Sequence, residues 1–218
     1  MLRRTLIGLL LWCFAWVALA ASAVYEEGTH YFELDTPIRP ADPTKVEVTE
    51  YFSYLCGGCF AFHPYVSSWA RTLDPERVVY NRTPAIFDKN LEVYAQTYYT
   101  ADALGVLDRS HPAIFEAIHT ERKALHQDLH DMAEFFAELG VDPVQFAKSY
   151  KSFGVSADVQ RAVARGRAYR ARYTPTLIVN GKYRVEVGSA GSQLNMLRVA
   201  EFLIDKELAA READKPAD

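Results

Sequence analysis

The hydrophobic and polar positions of this chain alternate between strand and helix texture. Val46 to Phe52 reads Val-Glu-Val-Thr-Glu-Tyr-Phe, rich in β-branched and aromatic residues, and predicts a strand. Phe60 to Leu73 has apolar residues at helical spacing. Arg77 to Arg82 predicts a second strand, ended by Pro84. From Asp88 to about Arg172 the pattern is helical throughout. Within it lie amphipathic stretches at Glu92–Leu104 and Pro112–Lys123, with Pro112 suited to a first helical turn. Asp128–Leu139 is closed by Gly140 as a C-cap residue, and Asp142-Pro143 opens Val144–Phe153. Ser156 is placed to cap the last helix of the block, Asp158–Arg172. Strand texture returns at Thr176–Val179 and Tyr183–Val187, joined by Asn180-Gly181, a strong hairpin signal. A final helix is predicted from about Gln193 to Lys206.

This order is most simply an α/β layer carrying a helical insertion, with one core under the sheet and another among the helices. The β-α-β start should pair in parallel. Tyr25 to Thr44, with Pro37, Pro40 and Pro43, reads as an irregular wrap. Residues 207–218, alanine-rich and charged, read as a frayed helix end and a loose tail.

The first 23 residues read as an address. Arg3 and Arg4 precede an apolar run from Leu6 to Ala20 and then small residues at signal-peptidase spacing, so a cleaved secretory signal peptide is expected. The run is short of the about 20 residues needed to span a bilayer. Cys13, one of three cysteines, leaves with it. The formal net charge of −4 falls to −6 without Arg3 and Arg4, and this acidity argues against a nucleic-acid partner. The remaining chain of about 195 residues is long enough to bury a good core.

That leaves Cys56 and Cys59, separated by Gly57 and Gly58, at a strand end and a helix start. As a staple the pair would contribute about 2 kcal/mol, against about 4.7 for a 100-residue loop. As a structural zinc site it lacks two ligands; His63 shares a helix face with Cys59, and His126 and His130 have i, i+4 spacing, but neither completes a set. A c-type haem would need histidine where Phe60 stands. Redox chemistry fits best. Free N–H groups and the helix dipole should lower the pKa of Cys56 and make it the nucleophile. Cys59, one turn further in, should be buried and act as the resolving thiol. The weak helix formers Gly57 and Gly58 suggest a close backbone approach or a relaxed first turn. Later, Thr174-Pro175 opens a strand, where a proline costs little by itself.

Strand, Cys56-x-x-Cys59, helix and then Thr174-Pro175 resemble the thioredoxin fold, and Pro64 matches its kinked first helix. The helical insertion narrows the resemblance to the DsbA family of periplasmic thiol:disulfide interchange proteins. Its most specific pieces are Glu50-Tyr51-Phe52-Ser53-Tyr54-x-Cys56-x-x-Cys59 and Pro175-x-x-x-Val179-Asn180-Gly181-Lys182-Tyr183. The resemblance implies a thioredoxin-like α/β fold split into residues 24–87 and 173–206, with the helical insertion at 88–172. It implies a cis Pro175 facing the cysteines, a Thr174 backbone that pairs with extended substrate, and Gly57 and Gly58 beside it. Glu50 matches a buried acid beneath the resolving cysteine and Arg82 its basic partner; a plain structural ion pair is the other reading of those two. No cofactor is implied beyond the Cys56–Cys59 disulfide. The implied clients are unfolded or newly exported cysteine-containing proteins, the reoxidant is a membrane protein of the DsbB kind, and the state is a monomer in the periplasm.

Two departures matter. Strong oxidants of the family carry Pro-His where Gly57-Gly58 stands, and many carry Val where Thr174 stands. Without that histidine, Cys56 should be less acidic and the protein less oxidising than those members. His63 lies a turn too deep to replace it. Both departures lean toward a reductase or isomerase. A redox-independent peptide-holding chaperone is the rival from another class, its groove built from Phe52, Tyr54, Leu55, Phe60 and Phe62.

Overall fold

The computed structural model describes residues 25–213, so the signal-peptide segment and the last five residues of the tail lie outside the described residues. Five strands form one mixed sheet: β1 (Phe32–Glu33), β2 (Val46–Phe52), β3 (Val78–Pro84), β4 (Thr176–Val179) and β5 (Tyr183–Glu186). Their order is β1-β5-β4-β2-β3. β2 pairs in parallel with β3, aligning Glu50 with Arg82, and antiparallel with β4. All seven residues of β2 are buried, as a strand covered on both faces requires.

Helix α1 (Gly57–Ala70) leaves the end of β2 and runs on through Pro64. Between β3 and β4 lie α2 (Lys89–Ala103), α3 (Leu107–His119), α4 (Leu129–Glu138), α5 (Pro143–Tyr150) and α6 (Phe153–Tyr169). The short α7 (Val187–Ala190) and the long α8 (Gln193–Ala213) close the chain. Side chains cap most starts: Asp88, Asp128 and Asp142 accept from the first-turn amides of α2, α4 and α5.

Three apolar clusters form rather than two. Alternation on β2 explains two of them. Val46 and Val48 face Phe62 and Val66 of α1 and Met196 and Leu203 of α8. On the other face Tyr51 meets Tyr169, Leu34 and Ile178. The third cluster joins Phe52, Tyr54 and Cys59 to the helical block, including Ile114, Phe115, Phe136 and Phe146. The cysteine turn therefore sits on the seam between sheet and helices.

Several local expectations change. The wrap from Tyr25 contains a strand: β1 pairs with β5, and its two residues are too few for a sequence period to register. Pro112 lies in the interior of α3, six residues past the N-cap Val106. Ser152, not Ser156, caps α6, with its hydroxyl accepting from the Val155 amide. The tail expected to be loose from Glu207 is helical to Ala213, because Glu207 is buried and bonded to Asn180 and Lys182. The Asn180-Gly181 turn has both residues at positive φ, 52° and 62°, as a two-residue hairpin turn needs. A Cβ on Gly181 would lie 1.9 Å from the Ile38 carbonyl oxygen, so only glycine lets the wrap dock there.

Candidate active site

Ser53 begins the turn that carries the cysteines: its carbonyl accepts from the Cys56 amide at 3.2 Å and its hydroxyl from the Leu55 amide at 3.2 Å. Cys56 is the N-cap of α1, half-buried, and its Sγ accepts from the Cys59 amide at 3.3 Å. Its Sγ also lies 3.2 Å from the Thr174 carbonyl oxygen. The Thr174-Pro175 bond is cis. The two halves of the motif, 118 residues apart in the chain, thus meet at one sulfur.

The two thiols are tuned in opposite directions. Cys56 is lowered from 9.0 to about 5: the Cys59 thiol hydrogen-bonds to it, burial opposes, and the Thr174 side chain and the amides of Cys59 and Gly58 add to the lowering. Cys59 is fully buried in the helical cluster, and burial pushes its thiol far up. Both are free thiols in this structure. Cys56 is a reachable thiolate at neutral pH, and Cys59 is a protonated, unreachable thiol.

Within the chain, no other backbone is among the nearest atoms that a Cβ at Gly57 or Gly58 would meet. A Cβ on Gly57 would find open space. One on Gly58 would make ordinary contacts at 3.5 Å with Cys56 Sγ and with Pro175 Cδ. The glycines therefore leave a vacant notch between the thiolate and the cis-proline. Gln193 of α8 closes its floor by donating to the Gly58 carbonyl at 2.7 Å. No local pattern points to Gln193, because the contact spans 135 residues.

Beneath the motif Glu50 is 2 % exposed. Its Oε2 accepts from Arg82 Nε at 3.3 Å and from the Tyr80 hydroxyl. Burial raises its pKa, and Arg82 and Tyr80 offset part of that rise. The Glu50 charge adds to the rise at Cys59, and Glu50 in turn is raised by the charge of Cys56. Sequence reading missed Tyr80. Two residues before Arg82 on one strand, it shares Arg82's face, so strand alternation counted from Arg82 points to Tyr80.

His63 is not brought to Cys56. Its Nδ1 shares a 3.2 Å hydrogen bond with Ser67, and its ring packs edge-on to His111. Burial and the nearby Arg82 charge lower it to about 4, so it is neutral at pH 7 and lends no positive charge to a thiolate. The groove expected from five apolar residues also changes: Phe52, Tyr54 and Phe62 are core, and only Leu55 and part of Phe60 reach the surface. Exposed apolar surface near the motif comes instead from Leu55, from Tyr173 beside Thr174 and from Leu194 beside Gln193. Among the described residues no cluster of metal-ligating side chains forms, and no helix is long and apolar enough to cross a membrane.

Comparison with known proteins places this geometry. Residues 69–198 match the family described as the DSBA-like thioredoxin domain. The thiol:disulfide interchange protein DsbA of Pseudomonas aeruginosa is 40% identical over 186 residues, 85% of this chain and 87% of that one. The protein of the same name from Azotobacter vinelandii is 41% identical over 84% of this chain and 85% of its own. The crystal structure of Pseudomonas aeruginosa DsbA superposes with a TM-score of 0.82 at 39% identity, covering 86% of this chain and 97% of that one. With strand, cysteine turn, helical block and cis-proline in this arrangement, the chain belongs to the DsbA family of thioredoxin-fold thiol:disulfide oxidoreductases.

Proposed function

We propose that Cys56 is the sulfur that clients attack and that Cys59 is the leaving and resolving thiol. A client thiolate bonds to Cys56 Sγ as the Cys56–Cys59 bond breaks, and the electron pair of that bond leaves on Cys59. A second client thiolate then attacks the client sulfur and releases Cys56 as a thiolate. The client gains a disulfide and the pair is left reduced. The observation that carries this assignment is the asymmetry of the thiols, one half-exposed and acidic, the other buried and held protonated.

In this reading Pro175 and the Thr174 backbone hold an extended client across the vacant notch at Gly57 and Gly58. Glu50 exchanges a proton with Cys59, with Arg82 holding its carboxylate in place. His63 supports the packing beside them. The clients are unfolded, newly exported proteins in the periplasm, and a membrane quinone-linked protein of the DsbB kind restores the disulfide. The protein works as a monomer and uses no cofactor other than its own cysteine pair. The test is a pair of single-cysteine variants mixed with a peptide that already carries a disulfide, whose bond breaks as the mixed disulfide forms. Cys59→Ser should accumulate mixed disulfides through Cys56, while Cys56→Ser should form none through the buried Cys59. Adducts forming through Cys59 in Cys56→Ser, and not through Cys56 in Cys59→Ser, would reverse the roles.

A further inference from the structure

Glu50 has a logistical problem. It is 2 % exposed, so water cannot exchange protons with it directly. Among the described residues only two side chains hydrogen-bond to its carboxylate, Arg82 and Tyr80. A guanidinium keeps its proton throughout any pH a protein survives, so Arg82 can hold the carboxylate but cannot relay. A phenol hydroxyl both donates and accepts. The Tyr80 ring is held in place, with the Arg82 guanidinium 5.0 Å from its centre and the Trp69 ring 6.4 Å away, edge to face. The same residue is half-buried and lines a cleft of about 700 Å³, open to water, on the outer side of β3. His63, Ser67, Arg82, Asp108 and His111 line it as well.

We propose that Tyr80 is the proton gate of the cysteine pair, linking buried Glu50 to water in this cleft. The proposal rests on the reading of Cys59 as the leaving thiol. When the disulfide opens, Cys59 departs as a thiolate and takes a proton from the Glu50 carboxyl. Tyr80 then passes its hydroxyl proton to Glu50 while a cleft water protonates its oxygen, so no tyrosinate accumulates. On reoxidation the steps reverse: the Tyr80 proton leaves to water as its oxygen accepts the Glu50 proton, and the Cys59 proton then moves to the emptied Glu50 carboxylate. No electron moves along this path; it carries one proton each way. Arg82 contributes by fixing Glu50 and Tyr80 together. Its further bond to Ser67 at 3.1 Å continues to His63, but no proton crosses Arg82 to reach it. The groups facing the gate are Glu50 from β2, Arg82 from β3 and Tyr98 from α2, and the cleft is lined further by Lys45, by His63 and Arg71, and by Asp108 and His111 of α3.

The test uses the full mature protein, oxidised, in single-turnover reaction with a peptide dithiol. Tyr80→Phe keeps the ring and removes the relay. Its transfer rate at neutral pH should fall by about 100-fold, the lower end of what positioned proton transfer contributes. Small weak acids such as formic acid should restore part of the rate, while the thiolate absorbance of Cys56 should titrate as in the native protein. A second form with fluorotyrosine at position 80 retains the hydroxyl bond and changes only its acidity; its rate should shift with the phenol's pKa. The gate is overturned if Tyr80→Phe transfers within about twofold of the native rate. It is also overturned if the fluorotyrosine form is indifferent to the change. Failure of the native protein to transfer a disulfide would instead overturn the underlying reading of the thiols.

Discussion

Two glutamates lie buried at opposite ends of this sheet, and their surroundings have made them different groups. Glu50, on β2 below the cysteine turn, is 2 % exposed, and burial leaves its pKa raised despite Arg82 and Tyr80. Glu207, on α8 beyond the hairpin, is 4 % exposed. Burial pushes it up too, but bonds from Lys182 at 2.7 Å and from Asn180 more than offset that and hold it below the ordinary value. Arg211 extends the arrangement, donating to Asn180 Oδ1 and to the Lys45 carbonyl. Each accepts from one cationic and one neutral side chain, but Glu50 lies deeper among packed atoms, so burial outweighs its donors, while Glu207 lies shallower and has Tyr183 as a further partner. A carboxylate whose donors outweigh its burial is a structural rivet, and one whose burial wins can still take a proton.

This contrast can be broken most directly by Glu50→Gln. The transfer rate should fall by about 100-fold, the scale of general acid–base assistance. Urea unfolding should show little loss of stability. If the rate holds, Glu50 is only an ion-pair partner. At the other end, Glu207→Ala should cost about 1–3 kcal/mol by leaving the buried Asn180 short of a partner, with transfer unchanged. Unfolding of Glu50→Gln and Glu207→Gln against pH, each relative to the native protein, sharpens the difference. Glu50 is raised in the fold, so its contribution to stability is full below 4.5, the ordinary value, and is lost as pH rises through the raised one. Glu207 is lowered, so its contribution is full above 4.5 and is lost as pH falls through the lowered one. The two slopes should have opposite signs.

The vacant notch offers a subtler test at the reactive end. Gly57 is the first residue of α1, where proline is well tolerated, and a Cβ at Gly58 makes only ordinary contacts. The double change Gly57→Pro, Gly58→His should make Cys56 more acidic and raise the reduction potential by about 30 mV for each tenfold in the equilibrium. Glutathione equilibration reads this, with values near −120 mV marking a strong oxidant and values at or below about −200 mV a reductase-like poise. An unmoved potential would mean that the Cys59 and Thr174 contacts alone set the thiolate. The smallest effect belongs to Glu212→Ala near the rivet. It removes an exposed ion pair with Arg77, and chemical unfolding should register less than about 1 kcal/mol.

Much of this was legible before any coordinates. β2 runs from Val46 to Phe52 and β4 from Thr176 to Val179, the limits read from composition alone. A central strand buried on both faces and a strand bounded by proline and Asn-Gly leave little freedom in where they end. Cys56 at a helix N-cap followed from strand texture meeting helix texture at the motif. What escaped depended on distant partners. β1 exists because β5 lies beside it. α8 continues past Lys206 because Glu207 finds Asn180 and Lys182 across the chain. Ser152 and Ser156 are equally good caps on paper, and packing of Val155 decides between them. Gln193 reaches the site through a long-range contact and carries no local motif, while Tyr80 was legible only through its place two residues before Arg82 on one strand.

Cys56 and Cys59 are the same side chain, three positions apart, and in a flexible peptide either sulfur would serve a partner equally well. Here one is half-open to water and the other has no exposed surface. A visiting thiolate therefore has one address. The fold has broken the symmetry of the pair, and under the proposed roles this gives a fixed order in time: Cys56 is first to bond a stranger, and Cys59 bonds only Cys56. Dead-end adducts through the second sulfur, with their unwanted branches, are excluded by burial alone.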